Sequence, residues 1–187
     1  MRPDKKTKLL RPTSGKVREA LFDILRGRIE NSRFLDLYAG TGAVGVEALK
    51  QGAKEVHFVE AGRGNASEIG KSLDKLHLPE KGKVIIRKAL AFIGWAEING
   101  MTFDIIFLDP PYHTEEIMHV LEALGKADIL NDDGIMVVEH FTKRRLPDSF
   151  GRLNRIRDYT YGDTALSLYG READKPQRPG GAEEDKE

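Results

Sequence analysis

Four consecutive residues, Asp109, Pro110, Pro111 and Tyr112, offer the clearest chemistry in the sequence. They follow Phe103–Leu108, a short apolar run that is typical of a buried parallel strand. Because two prolines cannot continue a sheet ladder, we predict that the strand ends there. A carboxylate, two rigid residues and an aromatic ring would then stand at the carboxyl end of a strand, where open α/β sheets bind ligands.

These residue types suit the activation of an amine attached to a nucleobase, and the tetrapeptide resembles the D-P-P-Y motif of methyltransferases that act on such amines. The amine lone pair is delocalised into the ring, so the nitrogen becomes nucleophilic only as it moves toward tetrahedral geometry. The Asp109 carboxylate and the Pro110 carbonyl would accept hydrogen bonds that favour this change, and Pro111 would keep them rigid. Tyr112 would stack on a base extruded from its helix. The alternative is a strand-ending turn around a buried tyrosine.

A second group of candidate residues surrounds the end of the first predicted strand, Phe34–Tyr38. Asp36 is followed by Gly40 and Gly42 at a turn into a helix. Glu60 ends the next strand, about 20 residues past this turn. A carboxylate at that position can accept hydrogen bonds from the ribose hydroxyls of a bound nucleotide cofactor. This spacing alone does not separate a nicotinamide site from an S-adenosylmethionine site. An Asp beside the glycines suits a cationic sulfonium better than a pyrophosphate, and the arrangement resembles motif I of class I methyltransferases. The alternative is a tight turn whose glycines serve packing only.

Alternating strands and helices are predicted to position both groups. The alternation favours a mainly parallel sheet with helices on both faces, and the last two strands read as an antiparallel hairpin. We therefore predict an α/β, Rossmann-like sheet of seven strands. The predicted helices begin near Pro12, Ala43, Asn65, Leu90 and Glu115 and end near Gly27, Lys50, Leu76, Ile98 and Leu124. The predicted strands are 34–38, 56–59, 84–86, 103–108, 134–139, 152–157 and 164–169.

Length and composition indicate one globular domain. The chain has 187 residues, of which 40% are hydrophobic and 32% charged, and it has no cysteine. The lack of cysteine excludes a disulfide framework and a thiolate metal site, and the scattered histidines predict no metal centre. The sequence shows no signal peptide and no apolar run near ~18 residues, so we expect a cytoplasmic protein that does not use a membrane.

Equal numbers of basic and acidic residues hide an uneven distribution of charge. Between Met1 and Arg28 nine lysines and arginines face three acidic residues, and between Lys143 and Arg157 six face one. Two basic zones are compatible with a polyanionic partner, although most such runs are solvated faces. We expect residues 1–10 to be a basic extension, 11–172 to form the methyltransferase domain and 173–187 to be a disordered tail.

The segment from Arg11 to Leu25 resembles the opening of the RsmD family; its sequence is R-P-T-S-G-K-V-R-E-A-L-F-D-I-L. The members of this family are bacterial enzymes that methylate the exocyclic N2 amine of a guanine in 16S ribosomal RNA. The closing segment Y-G-D-T-A-L, Tyr161–Leu166, and both motifs above also resemble that family. The resemblance implies S-adenosylmethionine as cofactor and 16S rRNA or a small ribosomal subunit particle as partner, with no implied oligomeric state. The implied cofactor residues are Asp36, Tyr38, Gly40, Thr41, Gly42 and Glu60, and the implied substrate residues are Arg11, Thr13, Lys16 and Tyr112.

The sequence departs from the family pattern at two places. Only ten residues precede Arg11, so we expect the β-hairpin that usually opens the family to be absent or much reduced. The family commonly has an acidic residue after the third strand, where this chain has Lys88, which cannot accept a hydrogen bond from adenine. We expect either that backbone groups near Ala89 bind the adenine or that the cofactor affinity is weaker. Two alternatives stay open: an amine methyltransferase acting on adenine N6 or cytosine N4 of DNA or on another RNA, and an RNA-binding module without turnover.

Overall fold

Strands and helices alternate along the chain in the predicted order. The computed structural model describes residues 15–111 and 116–171, so the predicted extension 1–10, the predicted tail 173–187 and the predicted start of the first helix near Pro12 lie outside the described residues. The helices are α1 (Gly15–Ile24), α2 (Ala43–Lys50), α3 (Arg63–Lys75), α4 (Ala89–Ile98) and α5 (Glu116–Lys126). The strands are β1 (Arg33–Asp36), β2 (Glu55–Glu60), β3 (Gly82–Ile86), β4 (Phe103–Leu108), β5 (Leu130–Phe141), β6 (Ser149–Phe150), β7 (Leu153–Tyr161) and β8 (Thr164–Arg171).

The described strands form one sheet in the order β3-β2-β1-β4-β5-β8-β7-β6. Strands β1 to β5 pair in parallel, β8 runs antiparallel to β5, and β7 and β8 form a hairpin. The predicted Rossmann-like α/β fold, with a mainly parallel sheet and an antiparallel hairpin at its end, is therefore confirmed. The sheet has one strand more than predicted, because β6 pairs with β7 over two residues only, too few to show a periodic pattern.

Strand β5 starts at Leu130, earlier than predicted. Its polar run Asn131–Asp133 has the composition of a turn, but the backbone continues through it. Leu130 pairs with Phe103, and the ladder then shifts register between Phe103 and Ile105. Asn131 Nδ2 donates to Asp104 Oδ1 at 2.6 Å, so polar side chains at this irregularity find partners. The polar run therefore marks a bulge in the strand and not its beginning.

The two faces of the sheet bury separate hydrophobic cores. Helices α1, α2 and α3 cover the face that carries Phe34, Phe58 and Phe107, while α4 and α5 cover the face that carries Phe103 and Tyr169. All five of these side chains are at most 1% exposed, and burying a side chain of this size stabilises the fold by roughly 1.5–3 kcal/mol. With both faces covered, the central strands can offer groups to a ligand only at their ends.

Candidate active site

The carboxyl edge of the parallel strands brings together residues from both predicted groups. Strands β1 and β4 are neighbours, with β2 and β3 on one side of them and β5 on the other. Such a reversal in strand order opens a crevice between the loops that follow the two central strands. Asp36 ends β1, Glu60 ends β2 and Asp109 directly follows β4, so three carboxylates stand along this one edge.

Asp36 is a carboxylate buried at the floor of this edge. Its side chain is 2% exposed, and its Oδ2 accepts a hydrogen bond of 3.1 Å from the Gly45 backbone N–H. Burial raises the pKa of Asp36 to about 7; the Gly45 hydrogen bond opposes this change, and the negative charge of Glu60 adds to it. The charged form of Asp36 is therefore costly by itself, and a positive ligand beside it would stabilise that form.

The loop between β1 and α2 depends on glycine for its shape. Gly40 and Gly42 have φ angles of +53° and +76°, which L-residues with a Cβ rarely adopt. A Cβ atom at Gly42 would also lie 2.9 Å from Ile69 Cγ1, so this position excludes a side chain on two grounds. Thr41, between the two glycines, is exposed. The loop thus has no bulky side chain at these two glycines, and it leads into the first turn of α2, whose N–H groups have no partner within the helix.

Glu60 ties two loops of the edge together. Its Oε2 accepts a 2.9 Å hydrogen bond from the Gly40 N–H, and its Oε1 accepts a 2.6 Å hydrogen bond from the Gly62 N–H. The first donor lies in the loop after β1 and the second in the loop after β2. A carboxylate has about four acceptor positions, so about two of them are left for further donors such as hydroxyl groups.

Tyr38 connects the loop after β1 with the helix that follows the loop after β4. Its hydroxyl donates to Glu116 Oε1 at 3.1 Å, and Glu116 is the first residue of α5. Burial and the neighbouring Glu116 carboxylate raise the pKa of the Tyr38 hydroxyl, so it stays a donor. Sequence reasoning missed Glu116, because an acidic residue in the first turn of a helix is already explained by the helix dipole.

The Asp109 motif stands where the sequence predicts it, directly after β4. Asp109 is half-buried, Pro110 is buried and Pro111 is exposed, while Tyr112 lies outside the described residues. The two prolines border a small enclosed cavity whose other walls come from the start of α5 and from the end of β5 and the turn after it. The remaining residues around this cavity are Ile117, Glu139, His140, Phe141 and Arg144.

His140 is a buried residue in the wall of this cavity. From the sequence alone it is only one of several scattered histidines. Its Nδ1 lies 3.0 Å from the Phe141 carbonyl oxygen and its Nε2 lies 2.7 Å from Ser167 Oγ. Because a carbonyl can only accept, Nδ1 carries the proton and the Ser167 hydroxyl donates to Nε2. Burial lowers the pKa of His140, which fits this neutral form. The pair fixes the end of β5 to β8 beside the two prolines.

The other predicted site residues lie after β3, in α1 or outside the described residues. Ala89 is buried at the first position of α4, after an exposed Lys88. Lys16 is exposed in the first turn of α1, and its side chain forms no hydrogen bond or ion pair with residues in the described ranges. Arg11 and Thr13 precede the described residues. Roles for these four residues therefore stay predictions.

The described ranges, 15–111 and 116–171, hold neither a membrane-spanning helix nor a metal cluster. No helix there is both long and apolar enough to cross a membrane. Within the same ranges no three histidine, aspartate or glutamate side chains are grouped so that they could hold a metal ion.

Comparison with known proteins relates these features to one family. A family model described as conserved hypothetical protein 95 matches residues 3–170. The ribosomal RNA small subunit methyltransferase D of Haemophilus influenzae is 36% identical over 163 residues, which cover 86% of this chain and 82% of that protein. The Escherichia coli K12 protein of the same name is 33% identical over 167 residues, which cover 88% of this chain and 81% of that protein.

A solved structure agrees with the sequence comparisons. A hypothetical protein from Thermus thermophilus is 29% identical and superimposes with a TM-score of 0.75 over 88% of this chain and 90% of that one. The family match extends from the opening segment through both motif loops to the closing hairpin, and the resemblance noted in the sequence is confirmed. The chain belongs to the RsmD family, whose family model is described as conserved hypothetical protein 95.

Proposed function

We propose that this chain transfers a methyl group from S-adenosylmethionine to the exocyclic N2 amine of a guanine in 16S rRNA. One observation carries the proposal: the Asp36–Gly42 loop and the Asp109–Pro111 loop follow the two neighbouring central strands and border the same crevice. A methyl donor and an acceptor amine must meet in line, and two loops on either side of one crevice can hold them so. We call the loops after β1 and β2 the cofactor side, and the loop after β4 with the end of β5 the amine side.

The residues of the cofactor side fit S-adenosylmethionine. This cofactor supplies a methyl group bound to a positively charged sulfur, which makes the methyl carbon electrophilic. Asp36 is buried next to the negative charge of Glu60, so a cationic ligand would relieve both the desolvation and the repulsion that raise its pKa. Gly40 and Gly42 let the backbone approach a ligand closely, and Glu60 keeps acceptor positions for ribose hydroxyls.

The amine side has the chemistry that an acceptor amine requires. The Asp109 carboxylate and the Pro110 carbonyl accept the two N–H groups of the guanine amine, which favours tetrahedral nitrogen as positive charge develops. The new N–C bond forms as the bond between methyl and sulfur breaks, and the electron pair of that bond stays on sulfur. Asp109 can then take up the proton that the nitrogen loses, so the methylated base stays neutral. Pro110 and Pro111 limit backbone motion around these acceptors, and Tyr112 stacks on the extruded base.

The choice of ribosomal RNA as substrate rests on family membership. The Haemophilus influenzae and Escherichia coli relatives are both named ribosomal RNA small subunit methyltransferase D, and the aligned segments cover more than four fifths of each of them. The basic zone from Lys143 to Arg157 follows the end of β5, which supports a polyanionic substrate on the amine side. Guanine N2 as the methylated atom follows from the resemblance to the RsmD family, for which the segments Arg11–Leu25 and Tyr161–Leu166 are the more specific elements.

The proposal is tested by methyl incorporation from tritiated S-adenosylmethionine. Undermethylated 16S rRNA, undermethylated small-subunit particles and duplex DNA are offered side by side, and the product is digested to nucleosides. We expect label in rRNA or in the particle, recovered as N2-methylguanosine. Label in adenine or cytosine of DNA would keep the amine chemistry and overturn the substrate. Absence of label from all three substrates, with cofactor binding measurable, would favour a module without turnover.

A further inference from the structure

The basic zone from Lys143 to Arg157 contains two unlike pairs of cations. Arg155 points inward, with 20% of its side chain exposed, and donates hydrogen bonds to the Leu146 carbonyl and to the Pro147 carbonyl, the latter at 3.1 Å. These two hydrogen bonds anchor the segment that leads into β6, and Arg155 also pairs with Asp158 in β7. Arg152 pairs with Asp128, just after α5, at 3.3 Å. These two arginines have structural partners.

Lys143 and Arg145 form the second pair, in the turn that follows β5. Both are exposed, and neither side chain forms an ion pair or hydrogen bond with any residue that the structure describes. The Nζ atom of Lys143 lies 5.7 Å from the centre of the Phe141 ring, which holds the ammonium group close to the end of β5. Two neighbouring cations without acidic partners in the described ranges leave a local positive charge.

This turn lies at the same edge as the crevice and is held in place. Phe141 and Arg144 border the small cavity that Pro110 and Pro111 also border, so the turn adjoins the amine side. The Arg144 N–H donates to the Phe141 carbonyl at 2.9 Å, and the Thr142 N–H donates to the Asp163 carbonyl at 2.9 Å. Asp163 belongs to the Tyr161–Leu166 segment, a family motif without a part in the chemistry above. That segment therefore supports the turn from the β7–β8 side.

We propose that Lys143 and Arg145 bind the phosphate backbone of the substrate RNA next to the target guanine. The inference rests on the proposed function, because it takes the substrate to be RNA and the amine side to hold the base. A base that leaves its helix to enter a pocket brings its flanking phosphates to the rim of that pocket. Cations at the rim neutralise these phosphates and fix the position of the strand, but they read no sequence.

The test compares Lys143→Ala/Arg145→Ala with Arg152→Ala, a matched control that removes an exposed arginine at the other end of the zone. Binding of an unmodified 16S rRNA transcript is measured over a series of salt concentrations. We expect the double variant to bind roughly tenfold more weakly at low salt and to reduce the slope of log K against log salt by about 1.4–1.8, since each of the two lost phosphate contacts contributes about 0.7–0.9. The Arg152→Ala control should keep the wild-type slope. The charge-conserving variant Lys143→Arg/Arg145→Lys should also show the wild-type slope. Cofactor affinity and melting temperature should stay unchanged in the double alanine variant.

Two outcomes would overturn this surface. The first is an unchanged slope in the double variant, and the second is an equal loss in Arg152→Ala. Failure of the proposed function gives a different result: the wild type would bind rRNA with the expected slope but transfer no methyl group to it, and the surface would stand alone.

Discussion

The cofactor side and the amine side of the crevice hold their functional groups by different means. On the cofactor side, three backbone N–H groups, those of Gly40, Gly45 and Gly62, fix the carboxylates of Glu60 and Asp36. On the amine side, two prolines restrict the loop after β4, and the end of β5 supports it from behind. The first side is organised by hydrogen bonds to the main chain, and the second by rigid rings packed against a strand.

The difference indicates how the work is divided. A site held by backbone donors tolerates changes in most side chains, provided that the glycines and the two carboxylates stay. A loop stiffened by prolines fixes the few acceptors that the reacting amine needs. We therefore expect changes on the cofactor side to act mainly on cofactor affinity, and changes on the amine side to act mainly on the rate of methyl transfer.

The largest effect should follow from Asp109→Ala on the amine side. Losing a fixed acceptor at the atom where charge develops should slow methyl transfer by about 100- to 1,000-fold. Cofactor affinity, measured by calorimetry, should stay within about twofold, and so should rRNA binding. Wild-type activity in this variant would remove Asp109 from the chemistry altogether.

A somewhat smaller effect is expected from Asp36→Asn on the cofactor side. Replacing a buried carboxylate that pairs with a cation by a neutral amide should weaken cofactor binding by about 10- to 100-fold. The amide oxygen can still accept from the Gly45 N–H, so the loop should keep its shape. Glu47→Gln, in the same helix as Gly45 but outside the crevice, is the control and should bind the cofactor normally.

The dependence of this binding on pH follows from the same residue. Since the pKa of Asp36 is raised to about 7, cofactor affinity should rise with pH up to about 7, level off above it, and be flat in Asp36→Asn. In the folded chain Asp36 keeps its proton up to about pH 7, whereas in the unfolded chain it loses that proton near pH 3.8. The stability that Asp36 contributes is therefore lost as the pH rises from about 3.8 through about 7. Asp36→Asn should therefore melt at a higher temperature than the wild type at pH 8 while it binds cofactor more weakly.

Gly42→Ala should act through stability on the cofactor side. The positive φ angle and the close approach of Ile69 should together cost about 1–3 kcal/mol of the free energy of unfolding. Gly70→Ala is a matched control in α3, where a Cβ atom would meet nothing within 4 Å. That change should stabilise the protein by about 0.5–1 kcal/mol, as is usual for alanine in a helix. Equal melting temperatures for both variants would contradict the strain assigned to Gly42.

The smallest effect is expected at the link between the two sides. Tyr38→Phe removes the hydrogen bond to Glu116, a contact worth about 0.5–1.5 kcal/mol, so the transfer rate should fall only a few-fold. Glu116→Gln keeps an acceptor for the hydroxyl, so its rate should fall less. If Tyr38→Phe changed cofactor affinity and left the transfer rate intact, Tyr38 would belong to the cofactor side alone.

The sequence predicted the fold and the position of the carboxylates, because both depend on local patterns. Alternation of strands and helices defines a parallel sheet, and the ends of parallel strands share an edge, so Asp36, Glu60 and Asp109 had to lie together. Strand β6 and the bulge in β5 escaped prediction because two residues show no period and a polar run looks like a turn.

The contacts between distant segments could not be predicted in the same way. Tyr38 and Glu116 are 78 residues apart, and His140 and Ser167 are 27 apart, so no pattern along the chain connects them. The basic zone shows the same limit. Composition counts its six cations alike, whereas the structure separates Arg152 and Arg155, which have acidic partners, from Lys143 and Arg145.

The most direct test of the two-sided crevice is the single-turnover rate of methyl transfer against cofactor concentration for the wild type, Asp36→Asn and Asp109→Asn. Saturating cofactor should bring Asp36→Asn to within a few-fold of the wild-type rate, because only binding is impaired. Asp109→Asn should stay slow at every concentration, because the amine is no longer held by a carboxylate. Rescue of Asp109→Asn by cofactor, or failure to rescue Asp36→Asn, would contradict the account.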